Sequence, residues 1–460
     1  MDLSRRMPKD FFWGNSVSSM QTEGAWNIDG KGKSVYDVRP ATEHTADWHD
    51  AIDEYHRYDE DLDLMQSMHM NMYRIQISWS RVVPDGDGDF NQAGIDFYDR
   101  LVDGMLKRGI TPMICLYHFD MPLALAQKEN GFMSRHTVDA FVRFGKKMIE
   151  HFADRVKYWI TFNEHNLYFT NEVFNISGYD HGDRSLNDLY TIFHHTMLAH
   201  AQLDAFVHAN YDDVKFGGMI AYTPVYPATS KPNDVFAARQ LDQFLNNNLN
   251  DAFVHGHYAH EVLTYIKNND IDYDHQAGDD DIIANMHADF LAFSYYRTTT
   301  INADKVPAGT APNHYLDYGM ESNRFLKANK WGWTIDPLGF RNMITDLYNR
   351  YEVPVFPIEN GIGLEEHWDG QNMIEDDLRI QYHEEHISAM KDAMFLDGAK
   401  VLGYLGWGLI DIPSSHADIE KRYGVVYVNR SNHDLKDMQR VPKKSYYWLK
   451  SVLAKNGDEL

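Results

Sequence analysis

The chain has 460 residues, of which 68 are acidic and 43 basic, so its formal net charge is −25. A field of this sign repels nucleic acid and anionic lipid and argues against either as a partner. The single cysteine, Cys115, excludes an intrachain disulfide. The N-terminus has no extended apolar leader, and no uninterrupted apolar run reaches the roughly 18 residues of a membrane span. We therefore expect a cytoplasmic protein without membrane segments.

Apolar runs typical of strands recur along the chain. Most are apolar on both faces, as in parallel strands that are covered by helices. In chain order the runs are Phe11 to Gln21, Met72 to Ser80, Ile110 to Asp120, Lys157 to Glu164, Lys215 to Pro227, Ala288 to Arg297, Pro354 to Gly363 and Lys400 to Asp411.

Stretches with helical spacing lie between these runs. They include Glu54 to His69, Gln92 to Lys107, Thr137 to Phe152, Leu186 to His208 and Asp376 to Leu396.

The alternation of strand and helix predicts an α/β fold with a parallel sheet, and eight repeats predict a closed (β/α)8 TIM barrel. No linker of low complexity interrupts the series. We expect a single catalytic domain over residues 1–460, in which the long segments 29–53 and 302–331 form loops over the C-terminal face of the barrel.

Two glutamates end strand-like runs. Glu164 closes the fourth run and Glu359 belongs to the end of the seventh, and each has an asparagine beside it. One glutamate in such a position often only forms an ion pair or caps a helix. Two at corresponding strand ends favour chemistry, because cleavage of a glycosidic bond needs two carboxyl groups that face each other across the sugar.

Longer motifs identify a family resemblance. They are FWG at 12–14, SSMQTEGAW at 18–26, YRIQISWSR at 73–81, LYHFDMP at 116–122, NE at 163–164 and ENG at 359–361. Together they resemble glycoside hydrolase family 1, the β-glucosidase family of (β/α)8 barrels. The likeness runs from about Lys9 to Leu449, nearly the whole chain.

The resemblance implies a retaining mechanism with Glu164 as general acid/base and Glu359 as nucleophile, their carboxyl groups about 5–5.5 Å apart. Arg74 matches the arginine that keeps the nucleophile ionised. Tyr296 matches the tyrosine that orients the same carboxylate, and Asn163 matches the amide that binds the sugar 2-hydroxyl.

The resemblance also implies a sugar-binding set. Gln21 and His118 correspond to the pair that hydrogen-bonds ring hydroxyls of the bound sugar. Trp407 corresponds to the floor of the sugar site, and Trp333 to the tryptophan against which the leaving group lies.

The segment after the eighth run discriminates between branches of the family. Ser414 stands where ordinary members have a glutamate, which would repel a phosphate on the sugar O6. Lys421 and Tyr423 follow at the spacing found in 6-phospho-β-glycosidases, and they would supply a cation and a second hydroxyl. Ser415 is small where phosphogalactosidases tend to have tryptophan, which favours the gluco configuration.

Four residues depart from the family pattern. His165 replaces the usual proline after Glu164, Ser294 replaces an asparagine, and Pro357 with Ile358 precedes Glu359 less typically than threonine does. None removes a reacting atom, but each leaves details around the acid/base open. Histidine groups at 194, 195 and 200 and at 255, 257 and 260 lack a matched acidic ligand set, so we expect no metal and no cofactor.

The leading hypothesis is thus a bacterial 6-phospho-β-glucosidase acting on a small phosphorylated β-glycoside, such as cellobiose phosphate or an aryl glucoside phosphate. A 6-phospho-β-galactosidase or a β-glucosidase for neutral sugars is the alternative. A catalytically silent sugar-binding barrel is a further alternative, disfavoured because both carboxyl groups and their partners are present.

Overall fold

The computed structural model describes residues 6–460 and has a closed barrel of eight parallel strands at its centre. We name these strands β1 to β8: Phe12–Ser16, Met72–Gln76, Thr111–Tyr117, Tyr158–Phe162, Lys215–Ala221, Phe290–Tyr295, Val355–Asn360 and Gly403–Trp407. Strand β1 pairs with both β2 and β8, which closes the barrel. The predicted (β/α)8 barrel is confirmed, since each predicted run contains one barrel strand.

Helices cover the barrel on the outside. Those of six residues or more are Glu54–Ser67, Gln92–Lys107, Leu123–Glu129, Arg135–Phe152, Leu186–Asn210, Pro232–Asp242, Asn248–His255, His260–Asn268, Asp279–Ala284, Pro337–Tyr351, Asp377–Phe395 and Lys444–Leu453. The five helices predicted from periodicity are all present, with ends that differ by no more than two residues from the prediction.

Shorter strands and helical turns lie in the connections that follow the C-terminal ends of the strands. Val225–Pro227, Thr299–Ile301 and Met320–Glu321 form one small sheet, and Val426–Val428 pairs with Arg440–Pro442 in another. Short helical turns occupy Ser19–Thr22, Trp79–Val82, Gly131–Met133, His165–Phe169, Val173–Ile176, Ala303–Lys305, Pro312–His314 and Leu316–Gly319, and a π-helical segment occupies Gln243–Asn247. The predicted loop 302–331 is therefore partly structured, because it supplies an edge to the first small sheet.

The barrel interior is a compact apolar layer, which includes Met72, Met113, Ile160, Met219, Phe356 and Leu405. Burying a side chain of this size stabilises the fold by roughly 1.5–3 kcal/mol. Cys115 lies in the same layer and is buried. The polar site is therefore confined to the C-terminal mouth above this layer.

No helix among the described residues combines the length and apolarity that crossing a bilayer requires. The expectation of one catalytic domain over residues 1–460 stays a prediction, and its first five residues lie outside the described part of the chain.

Candidate active site

Four strands deliver the predicted catalytic groups to one end of the barrel. Arg74 lies in β2, Glu359 in β7, and Tyr296 directly follows β6. Asn163 and Glu164 directly follow β4. The carboxyl ends of parallel strands meet at one mouth of a barrel, so side chains distant in sequence become neighbours there.

Glu359 is held by two donors. Arg74 donates from Nη1 to its Oε1 at 2.6 Å, and the Tyr296 hydroxyl donates to its Oε2 at 2.9 Å. Both carboxylate oxygens thus have a charged or hydroxyl partner, and Arg74 and Glu359 are buried. The carboxylate is consequently fixed in orientation before any ligand arrives.

The same arginine also holds Asn163. Its Nη2 donates to Asn163 Oδ1 at 2.7 Å, while its Nη1 reaches Ser16 Oγ at 3.2 Å. Since the amide oxygen of Asn163 is engaged, its NH2 group is the part that can donate to a sugar hydroxyl. Arg74 therefore sets the geometry of two neighbours at once.

Glu164 occupies an unusual backbone position. Its φ is +44°, in the left-handed region, and the short helical turn His165–Phe169 begins directly after it. Ser294 Oγ donates to Glu164 Oε1 at 2.5 Å. The serine that replaces the usual asparagine of the family is thus a direct partner of this carboxyl group.

Burial raises the pKa of both carboxyl groups. For Glu359 the charge of Arg74 opposes this rise and the charge of Glu164 adds to it. The pKa of Glu164 is also raised by burial, and the hydrogen bond from Ser294 opposes this. Two such groups do not both ionise easily. Because Arg74 contacts Glu359 directly, a single negative charge belongs on Glu359 and the proton stays on Glu164.

A strand irregularity accompanies Glu359. The pairing of β7 with β6 shifts register between Pro357 and Glu359, so that Glu359 lies opposite Ser294. Proline lacks the N–H that a regular ladder needs, and a bulge of this kind turns a side chain toward a site. The atypical Pro357 therefore coincides with the place where the strand reorients Glu359.

His118 and Trp407 lie side by side near the barrel axis. Their rings are 5.6 Å apart with an interplanar angle of 29°. The His118 ring is buried, its Nδ1 has no hydrogen-bond partner, and burial lowers its pKa well below the usual value. A neutral imidazole with an unused ring nitrogen can bond to a hydroxyl group.

Gln21 differs from its predicted setting. It lies in the short helix Ser19–Thr22 rather than in β1, which ends at Ser16. Ser18 donates to its Oε1 at 2.5 Å, and its Nε2 donates to the Pro413 carbonyl at 2.8 Å. Gln21 thereby ties the first strand-end to the segment that contains Ser414.

Ser414 is buried, and its hydroxyl accepts long hydrogen bonds from the backbone N–H groups of His416 and Asp418 at 3.3 and 3.2 Å. The hydroxyl proton is consequently available to donate elsewhere. Ser415, in contrast, is exposed, and its hydroxyl contacts His416 Nδ1.

Lys421 lies among aromatic rings. Its Nζ is 3.7 Å from the centre of the Trp333 ring and 5.5 Å from that of Tyr423. Tyr423 in turn packs edge-on against Tyr296 with ring centres 6.2 Å apart. A chain of contacts therefore runs from Lys421 through Tyr423 and Tyr296 to Glu359.

The acidic neighbours of Lys421 have other partners. Asp418 Oδ1 accepts from Glu420 N and Asn432 Nδ2, both at 2.9 Å, and the Glu420 carboxylate lies 4.0 Å from Arg422. Burial and the nearby Arg297 lower the pKa of Lys421 to about 8. Lys421 forms no ion pair with any residue in the range 6–460.

Arg297 is the residue near the site that sequence reasoning missed. It follows Tyr296, and its guanidinium lies 5.4 Å from the centre of the Trp333 ring. A single arginine before a run of threonines carries no signal of its own. Its position beside Lys421 is visible only in the folded chain.

The first group of histidines considered as metal ligands, at 194, 195 and 200, has hydrogen-bond partners in the protein. His194 contacts Tyr258 and Asp279, His195 contacts the Phe132 carbonyl and Asp274, and His200 contacts Thr161. His165, the residue that replaces proline, contacts Thr196 Oγ1 at 2.9 Å. These contacts give the four side chains structural roles.

Comparisons with known proteins agree with this geometry. The aryl-phospho-β-D-glucosidase BglA of Bacillus subtilis is 38% identical over 99% of each chain. The 6-phospho-β-glucosidase of Clostridium longisporum is 36% identical over 100% of each chain, and the phospho-cellobiase of Klebsiella oxytoca is 35% identical over 99% of each. The solved structure of a family 1 β-glucosidase from Thermotoga maritima superposes with a TM-score of 0.87, 29% identity and 98% coverage of both chains.

The family model for glycosyl hydrolase family 1 matches residues 3–458, which include every predicted site residue. The barrel, the paired glutamates and this match lead to one assignment: the chain belongs to glycosyl hydrolase family 1.

Proposed function

We propose that this chain is a retaining 6-phospho-β-glucosidase that hydrolyses β-linked glucoside 6-phosphates to glucose 6-phosphate and an alcohol or sugar. The observation that carries the proposal is the group Ser414, Lys421 and Tyr423, which offers two hydroxyls and a cation. No carboxylate within residues 6–460 forms an ion pair with that cation. The names of the bacterial relatives, two phospho-β-glucosidases and a phospho-cellobiase, support the same substrate class.

In the first step Glu359 attacks the anomeric carbon while Glu164 protonates the leaving oxygen. A covalent glycosyl-enzyme forms, and the alcohol or sugar leaves. Arg74 and Tyr296 orient the attacking carboxylate through their contacts with its two oxygens. Burial keeps the proton on Glu164 until it is transferred.

In the second step Glu164, now ionised, takes a proton from water, which attacks the anomeric carbon and releases Glu359. Asn163 donates to the sugar 2-hydroxyl, Gln21 and His118 bind further ring hydroxyls, and Trp407 forms the floor of the site. Trp333 lies against the leaving group. The chemistry needs only these side chains and water, without a cofactor or a metal.

The phosphate on O6 accepts from Ser414, Lys421 and Tyr423. Charge-assisted bonds of this kind are roughly twice as strong as neutral ones, so a dianion gains most from the cation. The small Ser415 favours the gluco over the galacto configuration. Since phosphorylated sugars arise where a bacterium imports sugars by phosphorylating them, we infer that the enzyme works in the cytoplasm as a catalyst for small molecules.

The test compares p-nitrophenyl β-glucoside and β-galactoside, each with and without a 6-phosphate, on the same enzyme preparation. We expect the highest kcat/KM for the glucoside 6-phosphate. Faster cleavage of the neutral glucoside would refute the phosphate specificity, and faster cleavage of the galactoside 6-phosphate would refute the gluco preference.

A further inference from the structure

Arg297 and Lys421 are two cations that contact the same aromatic ring. The Lys421 Nζ and the Arg297 guanidinium carbon lie 3.7 and 5.4 Å from the centre of the Trp333 ring. Lys421 is buried and Arg297 is partly buried, and the charge of Arg297 helps to lower the pKa of Lys421. Two like charges that act on each other in this way repel, so their placement has an electrostatic cost.

Neither cation has a carboxylate partner within residues 6–460. Other buried cations near the mouth do: Arg81 pairs with Glu23 at 2.8 Å, and Arg422, next to Lys421 in the chain, pairs with Asp411 at 3.3 Å. Burial lowers the pKa of Arg297, the direction expected of a guanidinium without an anion. A buried charge without a partner is expensive, so this arrangement indicates a site for an anion that is not part of the protein.

The anion that fits has more than one negative charge. Lys421 supplies a compact point charge, whereas the planar guanidinium of Arg297 can donate two parallel N–H bonds to two oxygens of one group. A phosphate dianion offers three oxygens and satisfies both cations. A single carboxylate would leave one of them poorly compensated.

We propose that Arg297 is a second cationic ligand of the substrate phosphate and thereby a specificity-determining residue of this enzyme. The inference rests on the proposed function and extends its phosphate site beyond Ser414, Lys421 and Tyr423. Arg297 also lines a cavity of about 360 Å³ together with Thr298 and Trp331. The competing occupant is therefore a leaving group in that cavity, and the experiment separates the two.

The test measures kcat/KM of wild type, Arg297→Gln and Arg297→Lys on p-nitrophenyl β-glucoside 6-phosphate and on p-nitrophenyl β-glucoside. Loss of a charged hydrogen-bond donor corresponds to roughly a 10- to 100-fold effect. We expect Arg297→Gln to lose this factor on the phosphorylated substrate, through KM, and to change little on the neutral one. The kcat/KM of Arg297→Lys on the phosphorylated substrate should lie between those of wild type and Arg297→Gln. Lysine keeps the charge but lacks the two parallel N–H donors of the guanidinium.

Arg324 provides a matched control, because it is an exposed arginine on the loop that flanks the same cavity. Arg324→Gln should leave both substrates unaffected. The inhibition constant of glucose 6-phosphate gives a second readout, which contains no leaving group, and it should rise in Arg297→Gln by a similar factor. If Arg297→Gln does not fold, the same two readouts on Arg297→Lys decide.

The outcomes separate the inference from the proposed function. If wild type shows no preference for the phosphorylated substrate, the proposed function fails. If wild type shows the preference and the Arg297 variants keep it in full, the role of Arg297 is overturned and the function stands. An equal loss on both substrates, with unchanged inhibition by glucose 6-phosphate, also overturns it and assigns Arg297 to the leaving group or to structure.

Discussion

The two sides of the active-site mouth differ in how far their polar groups are satisfied without a ligand. On the catalytic side, Arg74 donates hydrogen bonds to Glu359 and Asn163, and Glu359 has a partner on each oxygen. On the phosphate side, Lys421 and Arg297 lie on Trp333 without a counter-ion among residues 6–460. In the function we propose, the catalytic side is preorganised for transition-state chemistry, whereas the phosphate side is completed by its substrate.

The largest expected effect comes from a substitution that disrupts the catalytic side alone. Glu359→Gln removes the attacking carboxylate but keeps its shape, so kcat should fall by roughly 10⁴-fold or more. The phosphate side does not depend on this carboxylate, so glucose 6-phosphate should still bind. Calorimetry with glucose 6-phosphate checks the binding, and chromogenic assays check the rate.

The opposite result would contradict the assignment of Glu359 as the nucleophile. If Glu359→Gln kept a hydrolysis rate near that of wild type, another group would be the nucleophile. The hypothesis of a catalytically silent sugar-binding barrel would then be favoured for this chain.

The next largest effect is expected from a substitution that disrupts the phosphate side alone. Ser414→Glu places a third carboxylate where the phosphate binds, and like charges in a buried site cost several kcal/mol. We expect kcat/KM for the glucoside 6-phosphate to fall by roughly 100-fold or more, while that for the neutral glucoside rises. Ser414→Ala, which removes only the hydroxyl, is the control and should lose about tenfold.

A similar loss on both substrates in Ser414→Glu would contradict the separation of the two sides. It would mean that Ser414 acts by supporting the loop, through the bonds it accepts from His416 and Asp418.

A smaller effect follows from the lowered pKa of Lys421, which is about 8. As the pH rises through 8 the lysine loses its proton, and attraction for the phosphate weakens. The ratio of kcat/KM for the phosphorylated over the neutral glucoside should therefore fall above pH 8, by at most about tenfold per pH unit. The ratio cancels titration of the catalytic carboxyl groups, because that acts on both substrates.

Lys421→Arg supplies the control for this pH dependence. An arginine keeps its charge throughout, so the ratio should stay flat between pH 7 and pH 9 even if its value is lower. A wild-type ratio that does not change over this range would show that the charge of Lys421 does not contribute to selectivity.

The smallest effect concerns the link between Ser294 and Glu164. The serine hydroxyl donates to Glu164 at 2.5 Å and opposes the rise of its pKa. Ser294→Ala should raise this pKa further, so the alkaline limb of the kcat/KM profile moves to higher pH. Ser294→Asn, which restores a donor, should reverse the shift, and a downward shift in Ser294→Ala would contradict the assignment of Glu164 as the acid.

Much of the barrel was predictable, because buried parallel strands are apolar on both faces and alternate with helices. The strand ends follow from the same pattern, and Glu359 and Glu164 were found there. Gln21 was harder, because the apolar run continues past Ser16 into a helical turn that periodicity cannot separate from a strand. Strand and helix share short apolar patterns.

The phosphate side was only partly predictable. Ser414 and Lys421 are close in the chain and carry a motif, so spacing was enough to single them out. Arg297 meets Lys421 only through the fold, and the property that distinguishes it is the absence of a nearby carboxylate in the described structure. A missing partner leaves no pattern in a sequence.

The left-handed backbone of Glu164 has a consequence for how this protein should be handled. A side chain in that conformation costs roughly 1 kcal/mol, which glycine avoids. Glu164→Gly should therefore yield a slow enzyme that melts at a temperature no lower than wild type. Such a variant suits crystallisation with an intact phosphorylated disaccharide, since the cleft can fill without rapid turnover.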